Sequence, residues 1–197
     1  MDFYTINPKG NVPTIVLDDG TGKSYPPPQL ESRRKNVVLT PSSPHSPHSP
    51  PITVLNEGAA TLSWIGDQAP ESGILPALGD SKRYLTIGAL NYVASEVHSN
   101  FGPLFGPNSD EIKAKAKDNL QKKFEYLNKN IKGGYLAGTD KATIADFYLY
   151  IVLSWSGYVG VDYSAFEEVV AYFDKMKSLP NVVSAHEKIA TNPATTA

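Results

Sequence analysis

The 197-residue chain contains no cysteine. That excludes disulfides, thiolate-held metals and a cysteine nucleophile in this polypeptide. An excess of charge of one sign is missing too. Eighteen Lys and Arg stand against twenty Asp and Glu, for a net charge of -2, so no bulk positive field draws the chain to nucleic acid or an anionic membrane. Neither partner is expected. No stretch approaches the roughly 20 consecutive apolar residues of a membrane-spanning helix. The first residues also lack the basic start and apolar centre of a secretory signal. A cytoplasmic protein is therefore the expectation. A metal is not expected either: His45 and His48 are the nearest thing to a ligand pair, and closing a Pro-rich tract around an ion costs chain entropy.

What is present is a 41% hydrophobic fraction, enough for a substantial core, and sixteen prolines that cluster rather than spread. Phe3-Tyr4-Thr5-Ile6 and Thr14-Ile15-Val16-Leu17 read as strands, with the Asn7-Pro8-Lys9-Gly10 turn between them. Asp18-Asp19-Gly20 supplies a hairpin-type turn, after which Ile52-Thr53-Val54-Leu55 is the next strand. The two are separated by "TPSSPHSPHSPP" and its surroundings, a low-complexity segment without the composition of a core. Residues 21–51 therefore read as an insert. "DGTGKS" is not a phosphate loop, because Leu17 stands where the pattern needs its first glycine.

Beyond Asn56, a favourable N-cap, the pattern turns helical, with Ala59, Ala60, Leu62, Trp64 and Ile65 following. A Pro- and Gly-rich linker covers 71–81. Residues 82–101 then place Ile87, Leu90, Ala94, Val97 and Phe101 on one face, and 110–131 do the same with Ala116, Leu120, Phe124, Leu127 and Ile131. "TIADFYLYIVLSW" (143–155) is apolar almost all round, the mark of a central buried helix. It opens with Thr143-x-x-Asp146, a capping box. Residues 165–178 form another amphipathic helix through Phe166, Val169, Val170, Phe173 and Met176, and a short last helix lies near 181–190. The organisation is an α/β unit over 1–70, the linker, and an all-helical domain over 82–197.

Four stretches in this order, "NPKGNVPT", "NEGAA", "SEVHSNFGPLF" and "GYLAGTDKATIADFYLYIVLSWSGY", resemble glutathione S-transferases, in the bacterial-type and fungal branch that also holds nitrogen regulators. The resemblance implies a thioredoxin-like N-terminal domain followed by an all-helical C-terminal domain. On that plan Phe3-Tyr4-Thr5 would be the second strand. A first strand and helix, about 30 residues on the scale of a βαβ unit, have no counterpart, and neither does the family's sulfur-activating residue. The N-terminal domain is therefore expected to be incomplete and poorly folded, with the helical half sturdier. Joining Gly20 to Ile52 would restore the family's compact hairpin.

The resemblance also assigns site residues. Val12-Pro13 matches the cis-proline turn whose backbone pairs with the cysteinyl part of glutathione; an ordinary trans bond is the plainer reading of the residues alone. Glu57 and Gly58 match the helix start that holds the γ-glutamyl end, while the residues alone also suit a simple acidic helix start. His98 matches a histidine facing the cleft, or is a core histidine bonded to backbone. Phe101, Phe105, Trp155 and Tyr158 are candidates to line the pocket of an apolar electrophile, or are core aromatics. Thr143 and Asp146 are structural rather than catalytic, and no catalytic residue is identified.

Three functions stay open at this point. The chain is an enzyme that transfers glutathione, as co-substrate, to small apolar electrophiles or reduces with it, working as a homodimer. It is a non-catalytic member that binds glutathione or a protein. Or it is a truncated product without function.

Overall fold

A computed structural model describes residues 15–17 and 53–191. The expected strand Phe3–Ile6, the Val12-Pro13 turn, the insert at 21–51 and the paired histidines lie outside the described residues. The described residues divide into two compact units, one up to Thr61 and one from Leu62 onward.

In the first unit β1 (Ile15–Leu17) pairs antiparallel with β2 (Thr53–Leu55), Val16 opposite Val54. This is the pairing expected if the chain between them is spliced out as an insert. Helix α1 (Gly58–Gln68) follows. Its first bond runs from the Thr61 N–H to the Glu57 carbonyl at 2.8 Å, so Glu57, not the expected Asn56, occupies the cap position.

The second unit is helical. After the end of α1 come a short turn (Pro70–Ser72) and α2 (Ser81–Tyr92), a π-helical stretch (Val93–His98), α3 (Ser99–Phe105) and α4 (Asp110–Ile131). Then follow α5 (Ile144–Ser154), the single turn α6 (Ser156–Val159), α7 (Glu167–Lys177) and α8 (Pro180–Ala190). The core is formed where α3, α4, α5 and α7 meet, around Phe101, Leu120, Phe124, Leu149 and Leu153, all within 1% of full burial. Burying one such side chain contributes about 1.5–3 kcal/mol.

The linker is tied down tightly. Arg83, 8% exposed, donates to both Asp67 carboxylate oxygens at 2.9 and 3.0 Å and to the Pro76 carbonyl at 2.9 Å. Leu75 is buried against Gly66, where an added Cβ would lie 2.6 Å from the Leu75 Cβ; that contact is why the position has no side chain. The Ile74 carbonyl accepts from the first helical N–H of α5, that of Ile144, at 2.9 Å.

Helix α4 has the expected bounds and buries the five expected residues. Ser109 caps its start, accepting from the Ile112 N–H at 3.5 Å, and the chain turns out of it through left-handed Lys132 and Gly133. The helix expected over 82–101 is interrupted. Its buried stripe is Arg83, Thr86, Leu90, Val93, Val97, Phe101 and Leu104, so Val93 replaces the expected Ala94, and Ile87 is only half-buried. The π turn has local causes. Ser95 and Asn100 return side-chain bonds to the Asn91 and Glu96 carbonyls at 3.0 and 2.7 Å, and Ser99 bonds the Ser95 carbonyl. Those bonds compete with the regular ladder. Pro103 then leaves a carbonyl of α3 without its partner N–H, and the helix ends at Phe105.

Helix α5 is central, as expected, but not enclosed all round, since Ile151 remains 44% exposed. Its anchor is the capping box. Asp146 is wholly buried. Its Oδ2 accepts from the Thr143 N–H at 2.8 Å and the Thr143 hydroxyl at 2.7 Å. Its Oδ1 accepts from the Leu136 N–H and the Tyr172 hydroxyl, both at 2.9 Å. Tyr172, on α7, is the core residue missing from the expected stripe, which named half-buried Val170 and Phe173 instead. Burial, then the Asp146 charge, hold its phenol well above the usual tyrosine range, so it stays a donor.

Removing the carboxylate strands several buried donors at once. Asp146→Ala should lower the unfolding free energy by about 3 kcal/mol or more, against about 1 kcal/mol for Thr143→Ala. Urea denaturation of both variants measures this; equal losses would contradict a hub role for the carboxylate.

Candidate functional site

The site residues of the helical unit lie where the π stretch and α3 meet the end of α5. His98 closes the π stretch, half-buried. Its Nδ1 is hydrogen-bonded to the Tyr148 hydroxyl. The Trp155 ring stands 4.9 Å away at 67°, and the Tyr148 ring 5.6 Å away at 88°, both edge-on. Tyr148 and Trp155 are two turns apart on α5 and its cap, so one helix face presents both.

Trp155 is the hub of an aromatic cluster. Phe105 meets it edge-on at 5.5 Å, and Tyr158 lies nearly parallel to Phe105 at 6.1 Å and 22°. Phe105 is 50% exposed and Tyr158 86% exposed. Exposed, stacked rings on a helical surface form an apolar shelf that water does not favour. Phe101 differs from its neighbours. It touches Trp155 at 5.9 Å but has no exposed surface at all, so it supports the shelf from behind as part of the core and offers no face to a ligand.

Burial lowers the His98 pKa from its ordinary value. The ring is therefore neutral at physiological pH, able to donate at one nitrogen and accept at the other.

In the first unit Glu57 is exposed at the start of α1, and Gly58 is its first residue. The leading N–H groups of that helix follow directly, a geometry suited to a carboxylate. Val12 and Pro13 lie outside the described residues. Among the described residues no group of three or more His, Asp or Glu side chains could hold a metal, and no helix is long and apolar enough to cross a membrane.

Sequence reasoning missed Tyr148. The signal was available, because a tyrosine seven residues before Trp155 shares its helix face, but the almost uniformly apolar run hid the two-turn spacing.

Residues 95–193 match the C-terminal domain family of glutathione S-transferases. The chain is 31% identical over 185 residues to glutathione S-transferase GstA of Escherichia coli O157:H7, covering 93% of this chain and 76% of that protein. A sphingomonad glutathione S-transferase, solved in complex with glutathione, superposes with a TM-score of 0.74 at 32% identity, over 98% of this chain and 80% of the other. A glutathione transferase from Methylococcus capsulatus strain Bath gives 0.74 at 28% identity, over 95% and 77%.

The His98 pKa fixes the sign of a pH effect. Folding favours the neutral ring, whereas the unfolded ring gains its proton near pH 6.5. Between the folded and unfolded pKa values the unfolded chain binds more protons, so stability falls as pH drops through the window just below about 6.5. Below the folded pKa this contribution stops changing. An NMR titration should give His98 a midpoint below 6.5; a midpoint at or above it would contradict the burial argument.

Proposed function

The chain belongs to the glutathione S-transferase family, and we propose that it binds glutathione and transfers it to small apolar electrophiles in the cytoplasm as a homodimer. The observation that carries the electrophile side is the shelf of exposed Phe105 and Tyr158 on half-buried Trp155, with neutral His98 beside it. The glutathione side rests on the backbone at Val12, next to Pro13, and on the Glu57–Gly58 helix start. The backbone at Val12 pairs with the cysteinyl part, like an added strand. The helix start takes the γ-glutamyl end, its N–H groups bonding the carboxylate and the Glu57 side chain the ammonium.

In the reaction the glutathione thiolate attacks an electrophilic carbon. A carbon–sulfur bond forms, the leaving group departs with its electron pair, and the thiol proton passes to solvent. The protein's share is to bind glutathione and to hold the apolar partner away from water. The residue that activates the sulfur is not assigned.

A second surface supports the homodimer. A groove of about 460 Å³ between α2 and α4 is lined by Tyr84, Leu85, Tyr92 and Tyr126 among others. Tyr84, Leu85 and Tyr126 are 64%, 59% and 52% exposed. The Tyr92 hydroxyl is buried there without a hydrogen-bond partner among the described residues, and burial, then Tyr126 and Glu96, push its pKa up to about 12. A second copy would cover the rings and bring an acceptor to the orphan hydroxyl.

The full chain should be retained on glutathione resin, eluted by free glutathione, and turn over chlorodinitrobenzene. Glu57→Gln should weaken glutathione binding about tenfold, the scale of one charge-assisted contact. Retention without turnover would favour the non-catalytic binder; absence of both would overturn the proposal. In sedimentation equilibrium the wild type should be a dimer and Leu85→Glu a monomer, and a wild-type monomer would remove the assembly from the reading.

A further inference from the structure

The π stretch and the helix ends beside it run along α4 on a ladder of matched side chains. The Tyr92 and Tyr126 rings stand 5.0 Å apart. Lys123 donates from Nζ to the Glu96 carboxylate at 2.6 Å. Asn119 donates from Nδ2 to the Asn100 side-chain oxygen at 3.1 Å. Asn100 in turn donates to the Glu96 carbonyl at 2.7 Å, which ties the two polar rungs together. Along the first segment the rungs climb from 92 through 96 to 100; along α4 they descend from 126 through 123 to 119.

Steps of four do not suit a regular α-helix. At 3.6 residues per turn each such step drifts about 40° around the axis, and two steps drift about 80°. A stretch bonded i to i+5 takes more residues per turn, so four-residue steps stay in line and every rung can reach α4. The π stretch, Val93–His98, lies between the first rung and the last. His98 is two residues from Glu96 and two from Asn100, about half a turn from both rungs. A rotation of the stretch by one residue would break both polar rungs and swing the ring by about 100°, away from the Tyr148 hydroxyl. The buried stripe of Val93, Val97 and Phe101 resists that rotation through apolar contacts, which have no preferred direction.

We propose that Lys123 and Asn119 are positioning residues for His98. Through Glu96 and Asn100 they set the rotation of the π stretch, and so keep the His98 ring on the Tyr148 hydroxyl and edge-on to Trp155. The consequence for turnover rests on the transferase reading; the placement of the ring does not. Both members of the Glu96–Lys123 pair are partly exposed, so the pair contributes little to stability. Its loss therefore disturbs the ring before it disturbs the fold. Side chains that act in a site keep their geometry only where such supporting bonds hold them.

The test is NMR on the full chain with labelled histidine, tyrosine and tryptophan. Wild-type protein should show cross-peaks from the His98 ring to the Tyr148 and Trp155 rings. Lys123→Met combined with Asn119→Leu should lose the His98–Tyr148 cross-peak and move the His98 titration midpoint up toward about 6.5, with helical circular dichroism and the urea midpoint close to wild type. Lys123→Arg keeps the cation and should preserve both signals. Lys129→Met removes the Glu125 pair within α4 and should also leave them unchanged. The proposal is overturned if the double variant keeps the wild-type cross-peak and midpoint, or if Lys129→Met abolishes them equally. Should the double variant not fold, Lys123→Met and Asn119→Leu are read singly: a weakened cross-peak in either supports the proposal, and wild-type cross-peaks in both overturn it. Absence of glutathione binding and turnover in a wild-type chain that shows these NMR effects would sink the transferase reading and leave the positioning role standing.

Discussion

The helical unit depends on one buried carboxylate. Asp146 joins three segments that the chain order keeps apart: the loop at Leu136, the start of α5 at Thr143, and α7 through Tyr172. A buried charge is costly unless its lone pairs are filled, and here both oxygens accept two bonds. The same need makes the arrangement specific. A slipped register of α5 against α7 would strand the charge, whereas apolar contacts alone would tolerate small shifts. Ile74 completes the helix start from the linker side, so the backbone donors at the opening of α5 are met by the loop before it and the linker rather than by water.

From that anchor the site follows by helix geometry. Tyr148 lies two residues after Asp146 and Trp155 just past the end of the same helix. Fixing α5 fixes both rings, and Trp155 fixes Phe105 and His98 by edge contacts. Phe101 closes the arrangement from inside. The π stretch places Val93, Val97 and Phe101, four residues apart, on the core face, leaving the next residue, His98, at the boundary. The exposed rings are thus held by buried ones, which restrains a shelf that water would otherwise favour collapsing.

Where the pattern in the sequence was strong and local, it was legible. The α4 stripe from Ala116 to Ile131 repeats at helical spacing for about four turns, with a serine before the helix, and nothing else competes. The Thr143–Asp146 box was equally plain, although its link to Tyr172 was not: a tyrosine among Val170 and Phe173 reads as one more aromatic, and only the fold shows which face turns inward. The interruption at Val93–His98 was hidden because serine and asparagine side chains, not proline or glycine, redirect the ladder there. Asn56 was taken as the cap on propensity, and the chain instead begins the helix one residue later, putting Glu57 at the position where its carbonyl takes the first bond. The cluster around Trp155 was named almost in full because the motifs carried it; Tyr148 escaped because its hydroxyl sits in an apolar run where hydropathy outweighs spacing. The lysines were harder to read for the opposite reason. Lysine is abundant along α4, and one charge among many carries no mark until its neighbours are known.

That last contrast bears on how charge is distributed along α4. Lys129 is paired with Glu125 at 2.7 Å, and Lys123 with Glu96 at 2.6 Å. Lys117 is fixed to the carbonyl of Gly160, whose left-handed backbone ends α6, where a cation also complements the carbonyls at the end of a turn. Two of these lysines therefore tie α4 to other segments and the third pairs within the helix, each at modest energy. Lys113 sits on the same face as Lys117, one turn nearer the helix start, where the helix's own field is unfavourable to a cation. A lysine placed against the local field, its side chain making no ion pair among the described residues, contributes little to stability.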